Sequence, residues 1–204
     1  MTKNNSPLNI ILLGDPAAGK ATHGKFLAAK YNLYDLDMGR ELRALEHNPK
    51  LRKKYQLDKT LDNGKLTPTE LVRNLLHDKI HATPAKQGIL FNGTPKMLGE
   101  AKLVAKWLKQ EKRGRVIFAY LSIPLAETIR RMTGRKTYFK GKFSKRPDDN
   151  DKALKNRLRY YKANISQVVT FFKQHYPYMK ISTTGTILEA KKRLIDKIDK
   201  QITE

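Results

Sequence analysis

The chain has 204 residues, 39% of them hydrophobic and 30% charged, which is the composition of one globular domain with a substantial core. It contains no cysteine, which excludes disulfides and thiolate metal sites, and its five scattered histidines offer no pair at metal-ligand spacing near other strong ligands. No segment approaches the roughly 18 apolar residues of a membrane helix, and the apolar run near Leu8 is too short for a secretory signal. We therefore expect a cytoplasmic protein without a membrane partner.

The positive charge is large and dispersed. There are 42 basic residues against 19 acidic ones, a net charge of +23, spread along the whole chain. A nucleotide site needs only a handful of convergent cations, so most of the excess has another origin. Two origins stay open: solvated lysines on helix faces, as at 50–54 and 191–193, or a surface for nucleic acid or another polyanion. Dispersed charge favours the first.

Short apolar runs alternate with segments of helical periodicity through most of the chain. Strands are expected at 8–13, 33–36, 89–91, 116–123 and 179–181. Helices are expected at 19–30, 40–46, 50–61, 68–81, 98–109, 125–132, 151–175 and 187–202. This alternation predicts an α/β fold, a doubly wound parallel sheet of five strands with helices on both faces.

Two segments do not fit the simple alternation. Three predicted helices crowd between the second and third strands, where one crossover helix suffices, so residues 37–82 are expected to form a helical insertion. Residues 134–147 are rich in cations, glycine and aromatic residues and have no clear helical face, which predicts a short basic flap. The core of this one domain would then be residues 1–36, 83–133 and 148–204.

The first predicted strand is followed by the loop Gly14–Lys20 (GDPAAGK), which opens a helix. Backbone N–H groups at such a helix start point at an anion, and a lysine at this spacing reaches the β- and γ-phosphates of a nucleotide. The segment therefore predicts a phosphate-binding loop. The usual pattern has Ser or Thr directly after the lysine to touch magnesium, whereas here Ala21 comes first and Thr22 second. An ordinary strand-to-helix turn with incidental glycines is the competing interpretation.

The segment 14–23 resembles the Gly-x-Pro-Gly-x-Gly-Lys-Gly-Thr-Gln loop of adenylate kinases and related nucleoside monophosphate kinases, with Ala21 where glycine is usual. Further segments resemble motifs of that family in the same order. They are 37–43 (DMGRELR), similar to Ser-Thr-Gly-Asp-x-Leu-Arg; 64–70 (GKLTPTE), similar to Gly-x-Leu-Val-x-Asp-Glu; 92–98 (NGTPKML), similar to Asp-Gly-Phe-Pro-Arg-Thr-Leu; 131–135 (RMTGR), similar to the start of its lid; and 146–149 (RPDD) with 156–158 (NRL), similar to the lid exit and the arginine that follows.

The resemblance covers nearly the whole chain. It implies the phosphate-loop fold of the family, with 37–82 as a monophosphate-binding insertion and 134–147 as a short lid. It also implies an enzyme that moves the γ-phosphoryl group of ATP reversibly onto a nucleoside monophosphate, with AMP as the first expectation, so that ATP and AMP give two ADP. Mg²⁺ would be carried by the nucleotide, without a direct protein ligand, and the protein would be a monomer.

The resemblance also implies roles for particular residues. The cations that would act in catalysis, by neutralising charge on the moving group, are Lys20, Arg131, Arg135, Arg146 and Arg157. The residues that would bind ATP are Gly14, Ala17, Ala18, Gly19, Lys20, Ala21, Thr22 and Arg131. Those that would bind the monophosphate are Met38, Gly39, Arg43, Leu66, Gly93, Lys96 and Glu100, while Asp148 and Asp149 would help to close the lid.

Several family positions carry other residues here. Arg40 and Asn92 stand where the family has aspartates that help hold the water shell of magnesium, and Lys96 replaces an arginine and loses its planar fork. Glu100 replaces an adenine-reading glutamine, and because a carboxylate only accepts hydrogen bonds, it suits guanine. Two alternatives therefore stay open: GMP or another nucleoside monophosphate as acceptor, or a catalytically impaired relative with a basic polyanion-binding surface.

Overall fold

A computed structural model describes residues 7–45, 48–60, 69–134, 137–139, 142–144, 155–156, 158–159 and 161–203. The strands in these ranges are β1 (Asn9–Gly14), β2 (Leu33–Asp37), β3 (Gly88–Asn92), β4 (Val116–Ser122), β5 (Thr137–Phe139), β6 (Lys142–Ser144) and β7 (Tyr178–Ser182). Five of them form one parallel sheet in the order β2-β3-β1-β4-β7. The other two, β5 and β6, pair antiparallel with each other.

The helices are α1 (Lys20–Tyr31), α2 (Met38–Ala44), α3 (Pro49–Lys54), α4 (Leu57–Thr60), α5 (Thr69–Ala82), α6 (Leu98–Gln110), α7 (Leu125–Gly134), α8 (Ser166–His175) and α9 (Ile187–Thr203). A π-helical turn, Tyr161–Ile165, directly precedes α8. No helix in the described ranges combines the length and the apolar character that a membrane crossing requires.

The sheet is covered on both faces. Strand β1 is buried along its whole length, as expected for a central parallel strand between two helical layers. Successive β1 residues point to opposite faces: Ile11 packs in the same cluster as Phe172 of α8, and Ile10 in the same cluster as Leu27 of α1. The predicted α/β fold, a doubly wound sheet of five parallel strands, is therefore confirmed.

Three local predictions differ from the structure. The segment 50–61 is not one helix, because a left-handed residue, Gln56 with φ 46°, separates α3 from α4 and lets both Tyr55 and Leu57 face the core. In the described part of the predicted helix 151–175, the π-helical turn interrupts the α-helical pattern. The segment 134–147, predicted to be an irregular flap, contains the β5–β6 hairpin.

Candidate functional site

Strands β1 and β3 lie side by side, but their connections leave toward opposite edges of the sheet, since β1 leads to β2 and β3 leads to β4. The crevice at the carboxyl ends of two such strands is where open α/β sheets bind ligands. The loops after the two strands meet there. The Gly93 N–H donates to the Leu12 carbonyl at 2.9 Å, and a β-carbon at Gly93 would lie 3.6 Å from Lys20 Cε. The structure thus brings Lys20 and Gly93 together.

The loop after β1 makes a tight turn into α1. Gly19, with φ 83°, opens the helix in the left-handed region that glycine adopts freely. Ala17 also lies in that region, with φ 59°, where a β-carbon costs about 1–2 kcal/mol. The family loop has glycine at the position of Ala17. Ala18 is buried beneath the turn, while Ala21 and Thr22 are exposed at the helix start.

Lys20 folds back across this loop. Its Nζ donates to the carbonyl oxygens of Gly14 and Asp15, each at 2.8 Å. The Gly14 backbone packs so closely on β4 that a β-carbon there would overlap the Leu121 carbonyl. The ammonium group is therefore held at the mouth of the loop, beside the backbone N–H groups at the start of α1 that face an anion.

Arg131 of α7 joins the same edge of the sheet. Its Nε donates to Glu127 Oε1 at 2.6 Å, and its Nη2 donates to the Thr183 carbonyl at 2.8 Å. The Thr183 hydroxyl in turn donates to the Ala18 carbonyl at 3.0 Å, which ties the end of β7 to the phosphate loop. Hydrogen bonds from Arg130 and Arg131 hold the pKa of Glu127 at about 2. No sequence motif includes Thr183. The one signal in the sequence is its position shortly after the predicted strand 179–181.

His23 lies under the start of α1. It is 3% exposed, and its ring packs against Gly19, where a β-carbon would lie 3.0 Å from His23 Cδ2. Within the described ranges its Nδ1 has no hydrogen-bond partner. Burial lowers the pKa of His23, and the positive charges of Arg131 and Arg193 lower it further. The ring is therefore neutral at pH 7.

On the other side of the crevice, β2 leads into α2. The Asp37 side chain caps α2 by accepting from the Arg40 N–H at 3.1 Å. Arg43 lies over the helix start, since a β-carbon at Gly39 would be 3.3 Å from both terminal nitrogens of its guanidinium. Met38 is 4% exposed and packs in the core, so it offers little surface to a ligand. The structure thus brings Gly39 and Arg43 together.

Arg40 and Asn92, the two family positions that lack an acid, meet on one carboxylate. Asp35 Oδ1 accepts from Asn92 Nδ2 at 3.0 Å, and Asp35 Oδ2 lies 3.2 Å from Arg40 Nη1. Arg40 Nη2 also donates to the Asp35 carbonyl. Asn92 packs directly on α1, where a β-carbon at Gly24 would overlap its amide nitrogen. The negative charge in this region therefore sits on Asp35, a residue that the sequence motifs do not mark.

Glu100 stabilises the start of α6. It is 3% exposed, and its Oε2 accepts from the backbone N–H groups of Lys96 at 3.1 Å and Met97 at 3.3 Å. Burial raises the pKa of Glu100. Arg73 of α5 approaches the same turn, since its Nη2 would lie 3.0 Å from a β-carbon at Gly99. Arg73 has no position in the sequence motifs. A role of Glu100 in reading the acceptor base stays a prediction.

The remaining predicted site residues lie outside the described ranges. Their roles stay predictions, and they are Leu66, Arg135, Arg146, Arg157, Asp148 and Asp149. Among the residues that the structure describes, no group of three or more His, Asp or Glu side chains is arranged to hold a metal ion.

A glycine-containing loop joins a buried parallel strand to a helix at the point where the strand order reverses, and it carries a lysine at its end. This arrangement defines a phosphate-loop nucleotide-binding protein.

Comparison with known proteins narrows this class. The family model for adenylate kinase matches residues 12–177. The adenylate kinase of Flavobacterium johnsoniae is 32% identical over 195 residues, which cover 94% of this chain and 98% of that protein. The adenylate kinase of Azobacteroides pseudotrichonymphae is 29% identical over 94% of this chain and 97% of the relative. The adenylate kinase of Thermobifida fusca is 28% identical over 91% of this chain and 95% of the relative. The chain belongs to the adenylate kinase family, as its motifs predict.

Proposed function

We propose that this chain transfers the γ-phosphoryl group of ATP reversibly to AMP, so that ATP and AMP give two ADP. The observation that carries the proposal is the close approach of Lys20, at the end of the first loop, to Gly93, in the loop after the neighbouring strand, where a β-carbon would lie 3.6 Å from Lys20 Cε. Two phosphate-binding loops that touch can hold the donor and acceptor phosphates in line, which is the main requirement of phosphoryl transfer. The relatives favour this activity over transfer to GMP and over binding without turnover.

The donor side would hold ATP through the backbone of 14–22 and through Lys20. The Lys20 ammonium group already bonds two carbonyl oxygens of the loop, and phosphate oxygens are stronger acceptors for it because they are charged. Arg131 would supply a second cation, held in place by Glu127 and the Thr183 carbonyl. Because these partners fix the guanidinium before a ligand arrives, little side-chain freedom remains to be lost on binding.

The acceptor side would hold the phosphate of AMP through Arg43 and Lys96. Gly39 lets the Arg43 guanidinium lie against the start of α2, and Gly93 leaves space beside Lys20. Leu66 would belong to the apolar wall of the acceptor site, whereas Met38, which is 4% exposed, would support that wall from the core. Lys96 is a point charge without the fork of an arginine, so we expect Arg43 to supply most of the directional contacts.

The transfer itself would need cations that arrive with closure. We infer that Arg135, Arg146 and Arg157 converge on the moving phosphoryl group when the lid, 134–147, and the insertion, 37–82, close over the two nucleotides. Asp148 and Asp149 would help to hold the closed lid. Closure would exclude water, which otherwise accepts the phosphoryl group, and would strengthen each ionic contact.

Magnesium would enter with ATP. Mg²⁺ prefers oxygen ligands and retains several waters, and the β- and γ-phosphates supply most of what it needs. The side chains of this region fit that mode of binding, because both oxygens of the Asp35 carboxylate are engaged by Arg40 and Asn92, which leaves the ion to the phosphates and water. When bound, the ion would offset the negative charge of the phosphates. The protein's own part would be to orient those phosphates through Lys20.

A coupled assay tests the activity directly. Purified protein is supplied with ATP, Mg²⁺ and, in separate reactions, AMP, GMP, CMP or UMP, and ADP formation is followed. We expect AMP to give the fastest turnover, and Lys20→Ala to lose at least about a hundredfold of it, the usual effect of removing a preorganised charge-stabilising group. Lys25→Ala, an exposed lysine on the same helix, is the matched control. Equal rates with and without AMP would contradict the proposal.

We also infer that the protein acts as a monomer in the cytoplasm, where ATP and AMP are available. Light scattering during size-exclusion chromatography measures the molecular mass in solution, and a mass near 23.5 kDa is expected.

A further inference from the structure

Asp15, the second residue of the phosphate loop, makes contacts that the phosphate-binding role of the loop does not require. Its Oδ1 accepts from the hydroxyl of Tyr120 at 2.8 Å and from the hydroxyl of Tyr161 at 3.0 Å. Its Oδ2 accepts from the backbone N–H of Ile123 at 2.9 Å. The family loop accepts any residue at this position, so no motif assigns Asp15 a role. One carboxylate therefore joins three separate parts of the chain.

These contacts restrain the loop strongly. The backbone of Asp15 is also held, because its N–H donates to the Leu121 carbonyl at 2.9 Å and its carbonyl accepts from Lys20 Nζ at 2.8 Å. Hydrogen bonds to a charged acceptor are about twice as strong as neutral ones. Burial raises the pKa of Tyr120, and its hydrogen bond to Asp15 raises it further, so this phenol remains a donor at neutral pH. Asp15 thus fixes the segment that carries the donor lysine.

Tyr161 differs from the other two partners in its position along the chain. Tyr120 and Ile123 belong to β4 and its end, next to the loop in the sheet, whereas Tyr161 lies 146 residues away in sequence. It begins the π-helical turn, in which backbone hydrogen bonds join residues five apart instead of the four of an α-helix. The Tyr161 ring packs against the same core cluster as Val168 and Phe172 of α8, while its hydroxyl reaches Asp15.

We propose that Asp15 and Tyr161 are positioning residues that couple the phosphate loop to the segment after the lid. This inference rests on the proposed function. Tyr161 follows Arg157 by four residues, and Arg157 is assigned to the transferring phosphoryl group by its motif position. The shared hydrogen bond at Asp15 Oδ1 keeps the donor loop and this segment in fixed register. Its loss loosens the alignment required for transfer and leaves the affinity of the loop for ATP nearly intact.

Two variants that each lack one hydroxyl group distinguish this coupling from a general stabilisation of the fold. Tyr161→Phe and Tyr120→Phe each remove one donor to the same carboxylate oxygen, but only Tyr161 reaches the segment after the lid. For Tyr161→Phe we expect kcat with ATP and AMP to fall about tenfold, because small misplacements cost large factors in rate. We expect its dissociation constant for ATP, measured by calorimetry, to change less than about twofold. Tyr120→Phe should keep kcat within about twofold of the unmodified protein, with a comparable loss of thermal stability.

A second readout does not depend on turnover. Amide hydrogen exchange is measured with and without a non-hydrolysable ATP analogue. In the unmodified protein the analogue should slow exchange both in 14–22 and in 161–175, and in Tyr161→Phe it should slow exchange only in 14–22. Equal loss of kcat in the two tyrosine variants, or unchanged protection of 161–175 in Tyr161→Phe, would overturn the coupling. If the unmodified protein has no AMP-dependent turnover but protects both segments, the proposed function fails and the coupling stands.

Discussion

The donor and acceptor sides of the crevice depart from the family pattern in different ways. On the donor side, Ala17 and Ala21 replace glycines, which changes the cost of the backbone conformation and leaves every charge in place. On the acceptor side, Arg40 and Asn92 replace acids, and the charge is rearranged around Asp35. A phosphate loop built from backbone N–H groups tolerates the loss of a glycine as long as its turn is retained. A site that depends on side-chain charge changes its partners when one residue changes.

After Lys20→Ala, the largest expected effect tests the donor side through two neighbouring arginines. Arg131→Ala removes a cation held by Glu127 and the Thr183 carbonyl, and we expect kcat/KM for ATP to fall by about ten- to a hundredfold. Arg130, which forms an exposed ion pair with the same Glu127, provides the matched control. Arg130→Ala should change kcat/KM by less than about twofold, since exposed pairs contribute little. Steady-state kinetics give kcat/KM for ATP of both variants. Equal losses of kcat/KM in the two variants would contradict the assignment of Arg131 to the donor site.

A charge substitution tests the acceptor side. Asn92→Asp places a carboxylate about 3 Å from Asp35 Oδ1, where an amide now donates, and we expect the free energy of unfolding to fall by about 1–3 kcal/mol. Combining Asn92→Asp with Asp35→Asn restores one acceptor and one donor and should recover most of the loss. Chemical denaturation of the three variants measures this coupling. Additive losses in the double variant would mean that Asp35 and Asn92 do not interact.

The neutral His23 makes the stability of the protein depend on pH. Because its pKa in the folded protein lies below the ordinary value of 6.5, the unfolded chain binds more protons as the pH falls. Its contribution to stability is therefore fully present above about pH 6.5 and is lost below it, by at most about 1.4 kcal/mol per pH unit. His23→Gln, which restores the family residue, should flatten this part of the curve. Denaturation at pH 5.5 and 7.5 measures the slope, and an unchanged slope would mean that His23 does not cause it.

The smallest expected effect concerns the alanines that replace glycines on the donor side. It tests whether they change only the energetic cost of the backbone conformation. Ala17→Gly relieves a left-handed alanine but adds flexibility to the unfolded chain, so a net stabilisation of at most about 1 kcal/mol is expected. KM for ATP should stay within about twofold. Thermal unfolding and steady-state kinetics provide the two measurements. Destabilisation by Ala17→Gly would show that the Ala17 methyl group makes packing contacts that outweigh the strain.

The parts predicted well from the sequence are those with a local signal. The apolar run of β1, Gly19 and Lys20 lie within twelve residues of one another, and both the strand and the loop were predicted within one or two residues. The charge rearrangement could not be predicted, because Asp35 meets Asn92 only when β2 and β3 pair. Thr183 and Tyr161 were missed for the same reason, since each reaches the phosphate loop from a distant part of the chain. The hairpin of β5 and β6 is too short for its alternation to stand out.

The close packing of Gly24 on Asn92 has an evolutionary consequence. A β-carbon at position 24 of α1 would overlap the Asn92 amide, which fills the space between α1 and β3 while it bonds Asp35. Position 92 is therefore constrained by its neighbours in both size and charge. A reversion of Asn92 to the family's aspartate requires a simultaneous change at Asp35, so each single step from this arrangement is unfavourable. The four positions 24, 35, 40 and 92 form a set that lineages are expected to change together.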